Sequence, residues 1–148
     1  MIRRYTLEEV PAVAAELLEQ FGPGRVYALE GDLGAGKTTL VAEMCRQLGV
    51  ETPTSSPTFS IVNEYPAGDR TIYHMDAYRL KDIYEALDAG LEELFAEEQP
   101  TIFVEWPAVI QPILPTDVVY LRLSHAPDGG AHRELTISTG YPTPSDEQ

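Results

Sequence analysis

Gly31-Asp32-Leu33-Gly34-Ala35-Gly36-Lys37-Thr38 is the stretch that decides the reading of this chain. It completes the pattern G-x-x-x-x-G-K-[ST], in which glycines let successive backbone N–H groups turn into one concavity and the next helix adds the positive end of its dipole. Such a cradle takes an anion of phosphate size. Lys37 sets an ammonium where the β- and γ-phosphates of a nucleotide would lie, and Thr38 offers a hydroxyl to a Mg²⁺ that keeps most of its waters. Thr39 completes the set expected to bind nucleotide. The bland alternative is a glycine-rich strand-to-helix turn that binds nothing. The flanking sequence argues against it: 25–30 reads as a short apolar strand, and 39–48 as a helix with Leu40, Val41, Met44, Cys45 and Leu48 on one face, ended by Gly49.

Upstream, Thr6-Leu7-Glu8-Glu9 is a capping-box signature with Tyr5 and Val10 placed as a hydrophobic staple, and apolar residues continue through Val13, Ala14, Leu17, Leu18 and Phe21. This spacing predicts an amphipathic helix with an irregular first turn, or a regular start near Pro11. Downstream, 52–58 is a polar, proline-punctuated loop. Residues 59–65 and 71–76 read as two strands joined across Pro66-Ala67-Gly68-Asp69, an antiparallel hairpin. Helical spacing covers 80–87 and 91–98, with a break at Asp88-Ala89-Gly90, and 101–104 is a strand-like run stopping at Glu105-Trp106-Pro107. A second hairpin is expected from 117–124 and 133–138 around Pro127-Asp128-Gly129-Gly130, and 141–148 is expected to be a flexible tail. One strand-loop-helix unit followed by hairpins predicts an α/β fold of the P-loop NTPase kind, a mixed sheet with a parallel core and antiparallel hairpins, flanked by helices. Strand order does not follow from the pattern.

The length of 148 residues fits one domain, and 43% hydrophobic with 23% charged residues is an ordinary globular composition. Neither a membrane span nor a signal peptide is visible, so the expected compartment is the cytoplasm. Cys45 is the single cysteine and lies on an apolar helix face, the place of an inert core thiol. Acidic residues outnumber basic ones 24 to 10, a net charge of -14, which repels bare nucleic acid; direct DNA binding is not expected, and RNA chemistry would need a partner to hold the RNA. Lys37 and Lys81 are the only lysines, so the loop lysine is not one sample of a lysine-rich surface.

Hydrolysis or phosphoryl transfer needs a carboxylate near the metal and a group that orients the nucleophile. Ile102-Phe103-Val104-Glu105 has the form of a Walker B strand, with Glu105 either holding Mg²⁺, directly or through water, or polarising the attacking water; the alternative is an acid that merely ends a strand. Asp76 and Arg79, in His74-Met75-Asp76-Ala77-Tyr78-Arg79, stand at a predicted strand end, where α/β sheets meet their ligands. Asp76 would share the metal shell or position water, and Arg79 would stabilise charge or anchor the segment, against an even chance of a solvated ion pair. By itself His74 reads as a satisfied structural histidine. Ser56-Pro57-Thr58-Phe59 follows the loop's helix, where switch segments sense the γ-phosphate in other nucleotide hydrolases, or it is a rigid turn set by proline. Trp106, the sole tryptophan, could be core, a base-stacking ring or an interface.

Taken together, Gly31 to Thr38, Ser56-Pro57-Thr58-Phe59, His74-x-Asp76-x-Tyr78-Arg79-Leu80 and Glu105-Trp106-Pro107 resemble, in order and spacing, the TsaE (YjeE) family, the small bacterial P-loop ATPase of tRNA threonylcarbamoyladenosine biosynthesis. The resemblance implies an ATP- and Mg²⁺-dependent enzyme acting with the TsaB and TsaD proteins, with tRNA reached through the complex. It implies that Lys37 and Thr38 bind phosphate and metal, that Asp76 and Glu105 serve the metal and water, and that the segment around Thr58, with His74, Tyr78 and Arg79, forms the switch elements. A small-molecule kinase is the main rival, although the eight arginines are scattered singly apart from Arg3-Arg4 and form no visible lid. A guanine-specific switch protein is a third reading, disfavoured because Asn63 is followed by Glu64 and the N-K-x-D motif is missing. A fourth keeps the nucleotide as a non-catalytic structural ligand.

Overall fold

Val26–Glu30 (β2) and Thr101–Glu105 (β5) are buried along nearly their whole length, as strands covered on both faces must be, and they lie side by side in parallel. The computed structural model describes residues 1–32, 35–52, 61–127 and 130–142. Those residues form one seven-stranded sheet in the order β1-β7-β6-β2-β5-β4-β3, whose other strands are Ile2–Tyr5 (β1), Val62–Ala67 (β3), Arg70–Asp76 (β4), Val119–His125 (β6) and Arg133–Thr139 (β7). β6, β2, β5 and β4 run parallel; β3, β7 and β1 add antiparallel at the two flanks. The mixed sheet is therefore as the sequence predicts.

Period-two alternation assigns the two faces. Tyr27 and Leu29 face a core built with Val10–Phe21 (α1) and Lys37–Gln47 (α2), whereas Val26 and Ala28 face Ile83–Asp88 (α3), Leu91–Phe95 (α4) and the 3-10 segment Pro107–Ile113. In the first core Tyr27 stacks on Phe103 at 5.2 Å between ring centroids. Cys45 is fully buried there, and burial pushes its thiol up to about 12, which keeps it inert.

Several boundaries move for local reasons. The capping box between Thr6 and Glu9 forms, but it opens a 3-10 turn, Leu7–Glu9; the regular helix begins at Val10, with Pro11 in its first turn where a missing N–H costs nothing. α2 starts at Lys37, two residues earlier than expected, because Gly36 adopts the left-handed conformation and turns the loop directly into the helix. The first hairpin turns at Gly68 and Asp69 alone; Pro66 and Ala67 belong to β3 and pair with Thr71 and Arg70. Asp82 delays the next helix to Ile83 by accepting the Glu85 N–H at 3.1 Å. The helix expected over 91–98 ends at Phe95. β1 has no counterpart in the sequence reading. Of the expected tail, Tyr141 packs edge-on against Tyr120 at 5.2 Å, and 143–148 lie outside the described residues. Leu33, Gly34, Ser56, Pro57, Thr58, Phe59, Asp128 and Gly129 also lie outside them.

Candidate nucleotide site

The C-terminal ends of β2, β5 and β4 converge beside the start of α2, and the candidate residues gather there. Gly31 follows β2 with φ 154°, and a Cβ at this position would collide with the Leu123 carbonyl oxygen of β6, so the backbone requires glycine. Ala35 N–H closes a turn on the Asp32 carbonyl at 3.0 Å, and Gly36 at φ 98° delivers Lys37 into the first helical turn.

Lys37 is only 5% exposed. Its ammonium donates to the Gly31 carbonyl and, at 3.1 Å, to the Asp32 carbonyl, and it lies 4.1 Å from the centroid of the Trp106 ring. Burial pulls its pKa below the ordinary value of 10.5, against the opposing pull of the carboxylates of Glu105, Asp32, Asp76 and Glu30.

Thr38, half-buried one residue further on, donates its hydroxyl to both carboxylate oxygens of Glu105 at 3.1 Å. Glu105 is 3% exposed and ends β5 in register with Leu29 on one side and Asp76 on the other. His74, fully buried on β4, places Nε2 2.6 Å from Glu105 Oε2. An ionised carboxylate only accepts, so the imidazole carries its proton on Nε2. Asp76 is half-buried, and its Oδ1 accepts the Tyr78 N–H at 2.9 Å, capping the 3-10 turn Ala77–Arg79.

Trp106 follows Glu105 in a left-handed conformation, φ 56°, a strained state for a side-chain-bearing residue, fixed by its N–H on the Leu29 carbonyl at 3.2 Å. Its ring contacts both the Lys37 ammonium and the ring of Tyr78, whose centroid is 5.1 Å away. The ring is half-buried and borders the site. Tyr78, Arg79 and Thr39 are exposed at its margin.

The structure thus brings together Lys37, Thr38, His74, Asp76, Tyr78 and Glu105 from four elements, with Trp106 just after β5. The sequence reading took His74, by itself, as satisfied and structural; its contact with Glu105 follows from positions 74 and 76 sharing one face of β4. Reasoning from sequence also missed Glu30, which accepts hydrogen bonds from the hydroxyls of Tyr120 and Tyr141 next to Gly31, the latter at 3.2 Å. Burial, and then its own bond to Glu30, push the Tyr120 hydroxyl far above its ordinary value of 10.0.

A mixed seven-stranded sheet with helices on both faces, a helix following β2 and a buried acid ending the neighbouring parallel strand define an α/β fold. The family profile described as "Threonylcarbamoyl adenosine biosynthesis protein TsaE" matches residues 5–135, and the chain belongs to that family. It is 40% identical over 131 residues to the tRNA threonylcarbamoyladenosine biosynthesis protein TsaE of Bacillus subtilis, covering 88% of this chain and 80% of that one. The protein of the same name from Nostoc is 39% identical over 121 residues, 80% and 74% of the two chains. Among solved structures, Bacillus YdiB superposes with a TM-score of 0.72 at 34% identity, covering 95% of this chain and 86% of that one. No described helix is long and apolar enough to cross a membrane.

Proposed function

We propose that this chain is a Mg²⁺-dependent ATP hydrolase that serves threonylcarbamoyladenosine modification of tRNA, acting with the TsaB and TsaD proteins while the complex holds the tRNA. The observation that carries the reading is the meeting of the Lys37 ammonium, the Thr38 hydroxyl and the buried Glu105 carboxylate at one end of the sheet. Thr38 and Glu105, with Asp76 beside Glu105 in register, form a set of hard oxygen donors, the kind that Mg²⁺ takes. Bound there, the ion would neutralise charge across the phosphates.

The chain's own residues do the rest. Lys37 exchanges neutral carbonyl acceptors for phosphate oxygens, a stronger charge-assisted bond. The start of α2 presents N–H donors to the same anion. Glu105, held at the strand end, accepts hydrogen bonds from water and so orients a nucleophile. The net charge of -14 supports leaving the RNA to partners, and the names of the Bacillus and Nostoc relatives support the pathway.

The test is release of free phosphate from ATP by the chain with TsaB, TsaD and Mg²⁺. Lys37→Ala and Glu105→Ala should each abolish it. Full activity in both variants would sink the site assignment, and a phosphorylated metabolite in place of free phosphate would turn the reading to a kinase.

A further inference from the structure

We propose that His74 is the positioning residue of Glu105, holding the orientation of its carboxylate through one hydrogen bond to Oε2. The inference rests on the hydrolase reading above and names a role in it for a side chain outside the phosphate loop. Alternation along β4 puts His74 and Asp76 on one face, and the parallel register sets His74 beside Phe103 and Asp76 beside Glu105. The imidazole consequently reaches Glu105 from below the strand end, with Nε2 2.6 Å from Oε2.

Two features separate this from packing. Both side chains are buried, the ring completely, so the bond forms where competing water is excluded and electrostatic contacts are strong. In addition, His74 Nδ1 is buried and meets no hydrogen-bond partner among the described residues. A bare ring nitrogen in that position costs stability that an apolar ring of the same size would not, and the only return is the bond from Nε2.

The consequence concerns Thr38. Its hydroxyl now spans both oxygens of Glu105, at 3.1 Å each. Whenever that hydroxyl turns to another partner, His74 still holds Oε2 and keeps the carboxylate in its orientation. Without His74 the carboxylate would lose this hold on its orientation.

The experiment compares His74→Phe, which keeps the volume and removes the donor, with His74→Gln, whose amide N–H can reach the same oxygen. With TsaB, TsaD, ATP and Mg²⁺, His74→Phe should lower kcat about 10–100-fold, the usual cost of losing a hydrogen-bond partner behind a working carboxylate, with unchanged affinity for a fluorescent ADP analogue. His74→Gln should recover most of the loss. Independently of turnover, nitrogen-15 histidine spectra of the nucleotide-free protein should show one of its three imidazoles with a slowly exchanging proton on Nε2. That signal should vanish in His74→Gln and shift in Glu105→Gln. Wild-type kcat in His74→Phe, equal loss in the two variants together with an equal fall in Tm, or a proton found on Nδ1 would each overturn the proposal. If His74→Phe does not fold, His74→Gln and the spectra decide. A wild-type chain that releases no phosphate with its partners overturns the hydrolase reading itself, and a proton on Nε2 would then still stand as the orientation of the pair.

Discussion

At the strand ends that carry Glu105 the described residues bury Lys37, His74 and Glu105, whereas the β1-β7 flank keeps its charges in water, Arg4 beside Glu134 at 3.2 Å and Arg3 beside Glu16 of α1 at 3.1 Å. The two regions use the same chemical groups to different ends. Exposed pairs gain about 0–1 kcal/mol because water screens them and ordering long side chains costs entropy. Buried groups lose several kcal/mol of hydration each before any partner compensates them, so a cluster of them is poor stabilisation and good preorganisation. The polar end of the sheet is held in place by the apolar remainder, in which Tyr27, Leu29, Phe103 and Leu121 are fully buried.

That contrast can be broken most sharply at Glu105. Glu105→Gln keeps the shape and removes the charge; phosphate release should fall about 10²–10³-fold, while thermal melts show stability unchanged or raised. A collapse of stability instead would make the carboxylate a structural element. Phe103→Ala attacks the supporting side: losing a fully buried ring stacked on Tyr27 should cost about 3–5 kcal/mol in urea unfolding.

A subtler effect belongs to Lys37. Its folded pKa is lowered by burial, so between that value and the ordinary 10.5 the unfolded chain binds the proton that the folded chain does not. Stability must therefore rise with pH through that window, and the penalty is present in full below it. The stability difference between the wild type and Lys37→Met, measured by denaturant at stepwise pH from neutral to 10.5, should move in favour of the wild type as pH rises. The smallest effect is expected on the flank: Arg4→Ala should cost under about 1 kcal/mol, vanish in high salt and leave turnover untouched.

The comparison also explains what was legible in the sequence. β2, the loop, α2 and β5 announce themselves because each is a local pattern: an apolar run, a glycine spacing, a helical stripe. β1 does not, because four residues with only Tyr5 buried carry no period, and their place is set by pairing Ile2 with Thr136 and Arg4 with Glu134 far along the chain. The position of β6 beside β2 is likewise a long-range outcome. In the site, Lys37, Thr38 and Glu105 could be named from residue type and spacing. The bond between His74 and Glu105 could not, since it depends on the register of β4 against β5, which a single strand's pattern does not contain.

Pro66 has a bearing on how this molecule behaves in a crowded solution. It sits in β3, the outermost strand at one margin of the sheet among the described residues, and it has no N–H to offer a newcomer. An open strand margin is a template on which further chains can add, and proline on such a margin, together with the mutual repulsion of copies carrying a net charge of -14, discourages growth into larger aggregates. The hairpin that brings His74 to Glu105 thus also carries, on its outer strand, a residue that works against further strand pairing.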